Sequence, residues 1–304
     1  MTVTTLDLPP EALELLGDVL GPDGWRDALA GADALVCQLT DRVDAALLNR
    51  APRLRVVATA SVGYEHIDVA ACRARGIVVT NTPDVLTSAT ADLTWALLLA
   101  AVRRLPQAER SLRAGEFTGW GFWDYLGGDL EGRTLGIFGM GRIGRAVARR
   151  AGGFGMRVIY HSRTPLPPDD ERVLAAERVD FDALLARSDV LSLHAPLTPE
   201  TRHAFDRSAL ARMRPGSVLV NTARGPLIDE AALVDALRDG PLGAAGLDVF
   251  EREPIVHPGL LDLPNVVLLP HIGSATHGTR AGMATLAARN VRAVLDGDPP
   301  LTPL

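Results

Sequence analysis

The run Thr134-Leu-Gly-Ile-Phe138-Gly139-Met140-Gly141-Arg142-Ile143-Gly144-Arg-Ala-Val147 decides the fold. A short apolar strand, Thr134–Phe138, leads into a GxGxxG loop and then into a helix expected over Ile143–Gly152. The glycine pattern alone is weak, but between a strand and a helix it is the arrangement that cradles a pyrophosphate. Gly139 allows the tight turn, Gly141 lets a phosphate approach the backbone, and Gly144 lets helix and strand pack closely. The free N–H groups of the first helical turn then face the anion. Gly139, Met140, Gly141, Arg142, Ile143 and Gly144 are therefore candidate cofactor-binding residues. The alternative is a glycine-rich turn with no ligand, which the flanking strand and helix disfavour.

Working outward, short apolar runs alternate with helical patterns along the chain. Strands are expected at Ala34–Gln38, Arg55–Ala60, Ile77–Thr80, Arg157–His161, Val190–His194, Ser217–Asn221, Ala244–Val249 and Val266–Leu269. Helices are expected at Pro10–Leu20, Arg42–Asn49, Asp68–Arg75, Phe181–Arg187, Arg207–Met213 and Glu230–Asp239. Repeated βα units imply an α/β fold of parallel sheets covered by helices on both faces. Two longer helices stand apart: Ser88–Arg103, apolar nearly all round and so expected to be buried between domains, and Thr276–Leu295. Residues 113–132 are irregular, with Trp120, Trp123 and six glycines, and suit a pocket wall or subunit contact. The Pro-rich stretch Thr164–Pro168 reads as a surface loop.

The residue reading the adenosine ribose comes next. NAD sites place an acid near the end of the second strand. Here that strand ends His161-Ser162-Arg163-Thr164, and the next carboxylate is Asp169. An Arg pairs with a 2′-phosphate that an acid would repel. The expected cofactor is NADP(H), with NAD(H) possible; the alternative for Arg163 is a solvated surface charge.

Bulk composition narrows the chemistry. At 304 residues, two domains are expected, and the net charge of −6 provides no basic field for nucleic acid. The 31 basic residues are all Arg, which excludes Schiff-base lysines and a Walker loop. Cys37 and Cys72 lie in no metal-ligand pattern, so no metal is expected and both read as buried hydrophobes in a reducing compartment. The N-terminal sequence lacks the regions of a signal peptide, and the longest apolar stretch, Leu93–Val102, is too short to span a bilayer. A cytoplasmic protein without membrane partners is the expectation.

Three residues just after strands are candidates for chemistry on a 2-oxo acid. Arg224 lies in VNTARGPLID, Glu253 in GLDVFEREP and His271 in LLPHIGSAT. Reducing a 2-oxo acid needs a cation for the carboxylate and carbonyl, an acid for the developing alkoxide, and a partner for that acid. In open α/β sheets such positions border the ligand crevice. A carboxylate beside His271 would orient the imidazole and favour its protonated form. Singly, each has a plainer reading: a loop salt bridge for Arg224, a surface acid for Glu253, a hydrogen bond to a loop carbonyl for His271.

Together, ASVGYEHID, NTPDVLTSATADL, FGMGRIGRAVA, LHAPLTPETRH, VNTARGPLID, GLDVFEREP and LPHIGSAT resemble, in order and spacing, the D-2-hydroxyacid dehydrogenases. NTPDVLT and YHSRT look most like the glyoxylate/hydroxypyruvate reductase branch. The resemblance implies two Rossmann-like lobes, a dinucleotide-binding lobe (85–274) inserted into a discontinuous substrate-binding lobe (1–84 and 275–304), with the active site in the cleft. It implies a homodimer using the helix after Thr87 and the Trp-containing segment, and products of D configuration. By match to the family, Arg224, His271 and Glu253 are catalytic, with Arg224 and His271 also holding substrate alongside the N–H groups of Val62 and Gly63. Thr90, His194, Pro196, Thr222, Ala223, Asp248 and Gly273 would approach the cofactor, Asp248 at the nicotinamide amide. Ser162, Arg163 and Thr164 match the 2′-phosphate site of NADP-using members. Leu86, Trp120 and Trp123 are candidates for a wall limiting substrate size. The first strand has only Thr2–Thr5 available and is expected to be truncated or frayed. The alternatives are a 3-phosphoglycerate or D-lactate dehydrogenase and, in a different class, a dinucleotide-sensing corepressor without turnover.

Overall fold

In a computed structural model describing residues 1–304, the apolar runs form two wholly parallel sheets, each within its own compact unit. One unit comprises Met1–Leu86 and Ser274–Leu304; the other is Thr87–Gly273.

The first unit contains β1 (Thr2–Thr4), α1 (Pro10–Leu16), β2 (Val19–Leu20), α2 (Trp25–Ala28), β3 (Ala34–Cys37), α3 (Ala45–Arg50), β4 (Val56–Thr59), α4 (Val69–Ala74) and β5 (Val78–Thr80). Its sheet runs β2-β1-β3-β4-β5. β3 and β4 are buried at every position, as parallel strands covered on both faces must be. On one face Leu29, Leu35, Leu48, Val57 and Cys72 form a core. On the other, Ala12, Leu16, Val36 and Val56 meet Ala287, Ala288 and Val291 of the long C-terminal helix. Burial pushes the Cys37 thiol up and takes Cys72 to about 11, so both stay protonated and unreactive at neutral pH.

Two expectations for this unit need correction. The first strand, though short, is not frayed: Thr2–Thr4 are all buried and pair with β2 on one side and β3 on the other. The expected helix over Pro10–Leu20 stops at Leu16, because Gly17 turns into the left-handed region at φ 72°. Val19–Leu20 then joins the sheet beside Thr2 and Val3.

The second unit contains α5 (Thr87–Val102), α6 (Leu105–Arg113), β6 (Thr134–Phe138), α7 (Arg142–Ala151), β7 (Arg157–His161), α8 (Pro168–Leu174), β8 (Ala176–Arg178), α9 (Phe181–Arg187), β9 (Val190–Leu193), α10 (Arg207–Ala211), β10 (Ser217–Asn221), α11 (Glu230–Arg238), β11 (Leu242–Leu247), α12 (Pro258–Leu261) and β12 (Val266–Leu268). The chain then returns to the first unit as α13 (His277–Asp296), capped by Thr276 and ended by Gly297 at φ 88°. The sheet order β12-β11-β10-β9-β6-β7-β8 reverses direction between β6 and β9. That switch point opens a crevice at the carboxyl ends of the strands. α5 packs in the core with Leu135, Val147 and Val220; Trp95 stacks on Phe154 at 4.3 Å and donates to the Val147 carbonyl at 3.1 Å.

The Pro-rich stretch is not wholly a surface loop. Leu166 is buried, its N–H donating to the Tyr160 hydroxyl, and Pro168 opens α8. Proline is favoured there because its missing N–H is not needed in a first turn. α6, α8 and the edge strand β8 lie outside the elements expected from periodicity.

Candidate active site

The glycine loop fits a dinucleotide. Gly139 has φ 96°, open to glycine and strained for any other residue. A Cβ there would lie 2.5 Å from the Ala195 nitrogen, because the segment following β9 crosses directly over it. A Cβ on Gly144 would lie 2.3 Å from the Gly139 oxygen, so strand and helix approach as the motif requires. At Gly141, by contrast, a Cβ would meet nothing within 4 Å, and no side chain caps α7. The helix start is thus open space lined by N–H groups, suited to a pyrophosphate held by residues 139–144. Across the β6/β9 crevice, the His194 N–H donates to the Phe138 carbonyl at 2.7 Å, and Thr201 Oγ1 donates to the Pro196 carbonyl at 2.8 Å. Burial pushes the His194 imidazole down to about 3, leaving it neutral and bonded to Ser192 Oγ at 2.8 Å.

Ser162, Arg163 and Thr164 follow β7. Ser162 Oγ donates to the Thr164 carbonyl at 2.6 Å, fixing the turn, and Arg163 is exposed. Arg178, at the end of β8, donates from Nη2 to the Ser162 carbonyl at 3.3 Å, bringing a second guanidinium to this turn. The sequence reading missed it because Ala-Glu-Arg lacks the β-branched signature of a strand.

The ends of β10, β11 and β12 carry the remaining candidates. Buried Asn221 shapes the first loop: Nδ2 donates to the Arg224 carbonyl at 2.9 Å and Oδ1 accepts from the Ala223 N–H at 3.0 Å. Asn at a strand end, bonding to its own downstream backbone, was the available signal for this residue. Thr222 is buried and its hydroxyl meets that of Thr94 at 2.8 Å; the same Thr94 hydroxyl reaches the Thr90 carbonyl at 2.8 Å. Arg224 Nη1 donates to the Ala223 carbonyl at 2.7 Å.

His271 Nδ1 and Glu253 Oε2 lie 2.8 Å apart. Burial raises the Glu253 carboxyl, but the bonds from His271 and the Phe250 N–H and the charges of His271 and Arg224 outweigh it, so the carboxyl lies below its ordinary value. The Glu253–Pro254 peptide is cis. His271 has φ 55°, a conformation uncommon outside glycine, and such strain clusters at working sites. Asp248 holds it there. Its carbonyl accepts from the His271 N–H at 2.9 Å, and its carboxylate oxygens accept from the Ile272 and Gly273 N–H groups at 2.7 Å each. Burial keeps this carboxyl above its ordinary value, against the pull of those donors and of His271. Gly273 sits beside both Asp248 and Thr90, where a Cβ would be 3.2 Å from Asp248 Oδ2 and 3.5 Å from Thr90 Cγ2. Thus Arg224, Glu253, His271 and every candidate cofactor residue lie in the one unit.

Val62 and Gly63 belong to the other. Their carbonyls accept from Asn81 Nδ2 at 2.8 Å and Ser61 Oγ at 2.6 Å, which fixes both peptide planes.

A Rossmann sheet with an open glycine loop, and beside it a cation and a carboxylate–imidazole pair, defines a nicotinamide-dependent oxidoreductase. Residues 95–273 match the family model of the "D-isomer specific 2-hydroxyacid dehydrogenase, NAD binding domain". The chain is 47% identical to the glyoxylate reductase of Thermococcus onnurineus over 313 residues, covering 98% of this chain and 93% of that relative. It is also similar to the solved NADPH-dependent glyoxylate/hydroxypyruvate reductase of Sinorhizobium meliloti in complex with NADP and malonate. There the TM-score is 0.87 at 38% identity, covering 100% of this chain and 96% of that one. For D-lactate dehydrogenase from Aquifex aeolicus with NAD and lactic acid, the TM-score is 0.87 at 30% identity, covering 98% and 96%. The chain belongs to the D-2-hydroxyacid dehydrogenase family, in its glyoxylate reductase branch, and is an NAD(P)-dependent oxidoreductase acting on CH–OH groups.

Proposed function

We propose that this enzyme reduces glyoxylate and hydroxypyruvate to D-2-hydroxy acids with a preference for NADPH. The observation that carries the reaction is the 2.8 Å Glu253–His271 pair on loops adjoining that of Arg224. NADPH, held at the glycine loop of residues 139–144, would supply the hydride for the carbonyl carbon. The Arg224 guanidinium grips the carboxylate and polarises the carbonyl oxygen. A role in binding substrate is assigned to the N–H groups of Val62 and Gly63 as well. Glu253 holds Nδ1 of His271, so Nε2 is the nitrogen presented to the substrate, and it donates the proton to the forming alkoxide. Residues 85–274 act as the NAD(P)-binding domain and 1–84 with 275–304 as the substrate-binding domain.

The preference for NADPH rests on Arg163 and Arg178 around the Ser162–Thr164 turn, where the second strand ends without an acid. The T. onnurineus and S. meliloti relatives support the choice of substrate by their names. The enzyme works as a homodimer. Trp120 and Trp123 are 79% and 75% exposed and lie beside exposed Phe117 and Phe122, an aromatic patch of the kind a partner covers. Sedimentation of the purified chain tests this, with a monomer at all concentrations contradicting it. No helix is long and apolar enough to cross a membrane; the site of action proposed is the cytoplasm.

The test of function is the initial rate of reduced-nicotinamide oxidation with NADPH or NADH, each offered glyoxylate, hydroxypyruvate, pyruvate or 2-oxoglutarate. Fast NADPH oxidation with the first two is expected. Preference for NADH would overturn the cofactor assignment alone. Tight dinucleotide binding without turnover would overturn the enzyme reading in favour of a sensor.

A further inference from the structure

Glu251 lies two residues before Glu253 and takes no part in the chemistry above. Its surroundings are unusually well connected. The Glu251 N–H donates to Glu230 Oε1 at 2.7 Å, and the Glu230 N–H donates back to Glu251 Oε2 at 3.4 Å. The other oxygen, Oε1, meets His203 Nε2 at 3.0 Å. Glu230 is buried, and burial holds its carboxyl above the ordinary value. Burying a carboxylate is costly unless it is hydrogen-bonded, and Glu230 has its bond from the Glu251 N–H.

These three residues join the two loops that carry the catalytic groups. Glu230 begins α11, six residues after Arg224; Glu251 stands in the loop that carries Glu253. The backbones they join leave no room for a side chain at Gly225: a Cβ there would lie 1.9 Å from the Phe250 carbonyl carbon and oxygen. His203 ties in a third segment. Its N–H donates to the Pro226 carbonyl at 2.8 Å, and it holds φ 51°, a left-handed conformation that its two bonds sustain.

We infer that Glu251 is a positioning residue: clamped by Glu230 and His203, it sets the loop of Arg224 in register with the loop of Glu253. The cation for the substrate carboxylate and the partner of the acid come from different loops, and the register between them determines whether one substrate meets both. Misplacing reacting groups by about an ångström costs roughly a hundredfold in rate. The inference rests on the roles proposed for Arg224 and Glu253.

Glu251→Ala and Glu251→Gln test it through kcat and KM for glyoxylate, the Kd of NADPH, and the Kd of oxalate, an unreactive dicarboxylate probe of the Arg224 site. Glu251→Ala should lower kcat/KM and weaken oxalate by roughly ten- to hundredfold, with a smaller loss of NADPH affinity, because the glycine loop that takes the pyrophosphate lies on other strands. Glu251→Gln keeps an acceptor and a donor and should recover most of the loss. Wild-type kinetics in Glu251→Ala would overturn the clamp, as would equal damage in both variants with NADPH binding lost in parallel. A wild-type enzyme that neither turns over glyoxylate nor binds oxalate would instead remove the roles of Arg224 and Glu253, and the clamp with them.

Discussion

Replacing Asp248 by Asn should loosen the catalytic histidine without touching substrate. The carboxylate is fully buried and accepts two backbone N–H bonds, from Ile272 and Gly273. Asn offers one acceptor oxygen, so its amide nitrogen must oppose the second N–H. The variant loses one charge-assisted bond, worth about 1.5–3 kcal/mol, and strands a buried donor at about 1–3 kcal/mol more. Part of this is offset, because burial already disfavours the charge on Asp248. The net cost is about 1–3 kcal/mol, and at roughly 2–4 °C per kcal/mol for a domain of this size Tm should fall by roughly 2–12 °C. His271 keeps its bond to the Asp248 carbonyl but loses part of the support for its left-handed backbone, a strain of about 1–3 kcal/mol, and kcat should drop by about tenfold. Thermal unfolding of the unliganded protein with steady-state kinetics checks both effects. A variant with unchanged Tm and unchanged kcat would refute the argument that Asp248 holds this loop.

Arg163→Ala and Arg178→Ala should each weaken NADPH by roughly ten- to hundredfold and leave NADH unchanged, the value of one charge-assisted phosphate contact; titrations with both cofactors check this, and equal losses for the two would refute it. Gly144→Ala should abolish dinucleotide binding, because its Cβ would lie 2.3 Å from a backbone oxygen that cannot yield without moving the loop; wild-type affinity would contradict the placement of that turn. The Glu253 carboxyl lies below its ordinary value of 4.5 in the folded state, so its contribution to stability is complete above that value and is lost as pH falls through the lowered one. The difference in Tm between wild type and Glu253→Gln should therefore be constant at neutral pH and shrink only in acid. A difference that grows as pH falls would reverse the sign of the argument.

Much of this molecule is written locally in its sequence. The strand, glycine loop and helix of residues 134–151 are contiguous, so their reading needs no knowledge of distant neighbours. Arg224, Glu253 and His271 follow strands that adjoin in the sheet, which is why marking strand ends was enough to group them. The parts that escaped notice are those made by distant partners. Arg178 reaches the Ser162 turn only because β8 pairs with β7. Asp248, expected at the nicotinamide amide, has its carboxylate engaged by N–H groups more than twenty residues away. Glu251 and Glu230 exchange bonds across 21 residues, and His203 joins across 48. The overlong first helix is different: Gly17 is a legible stop, and the apolar pair Val19–Leu20 beyond it belongs to a strand.

The measurement that reaches the centre of the account is glyoxylate reduction by His271→Gln, made alongside the Kd of NADPH. If His271 is the proton donor of this site, kcat should fall by roughly 10²–10⁴-fold, the span expected for a lost general acid, while NADPH binds as before. Reduction at the wild-type rate by the variant would contradict the assignment.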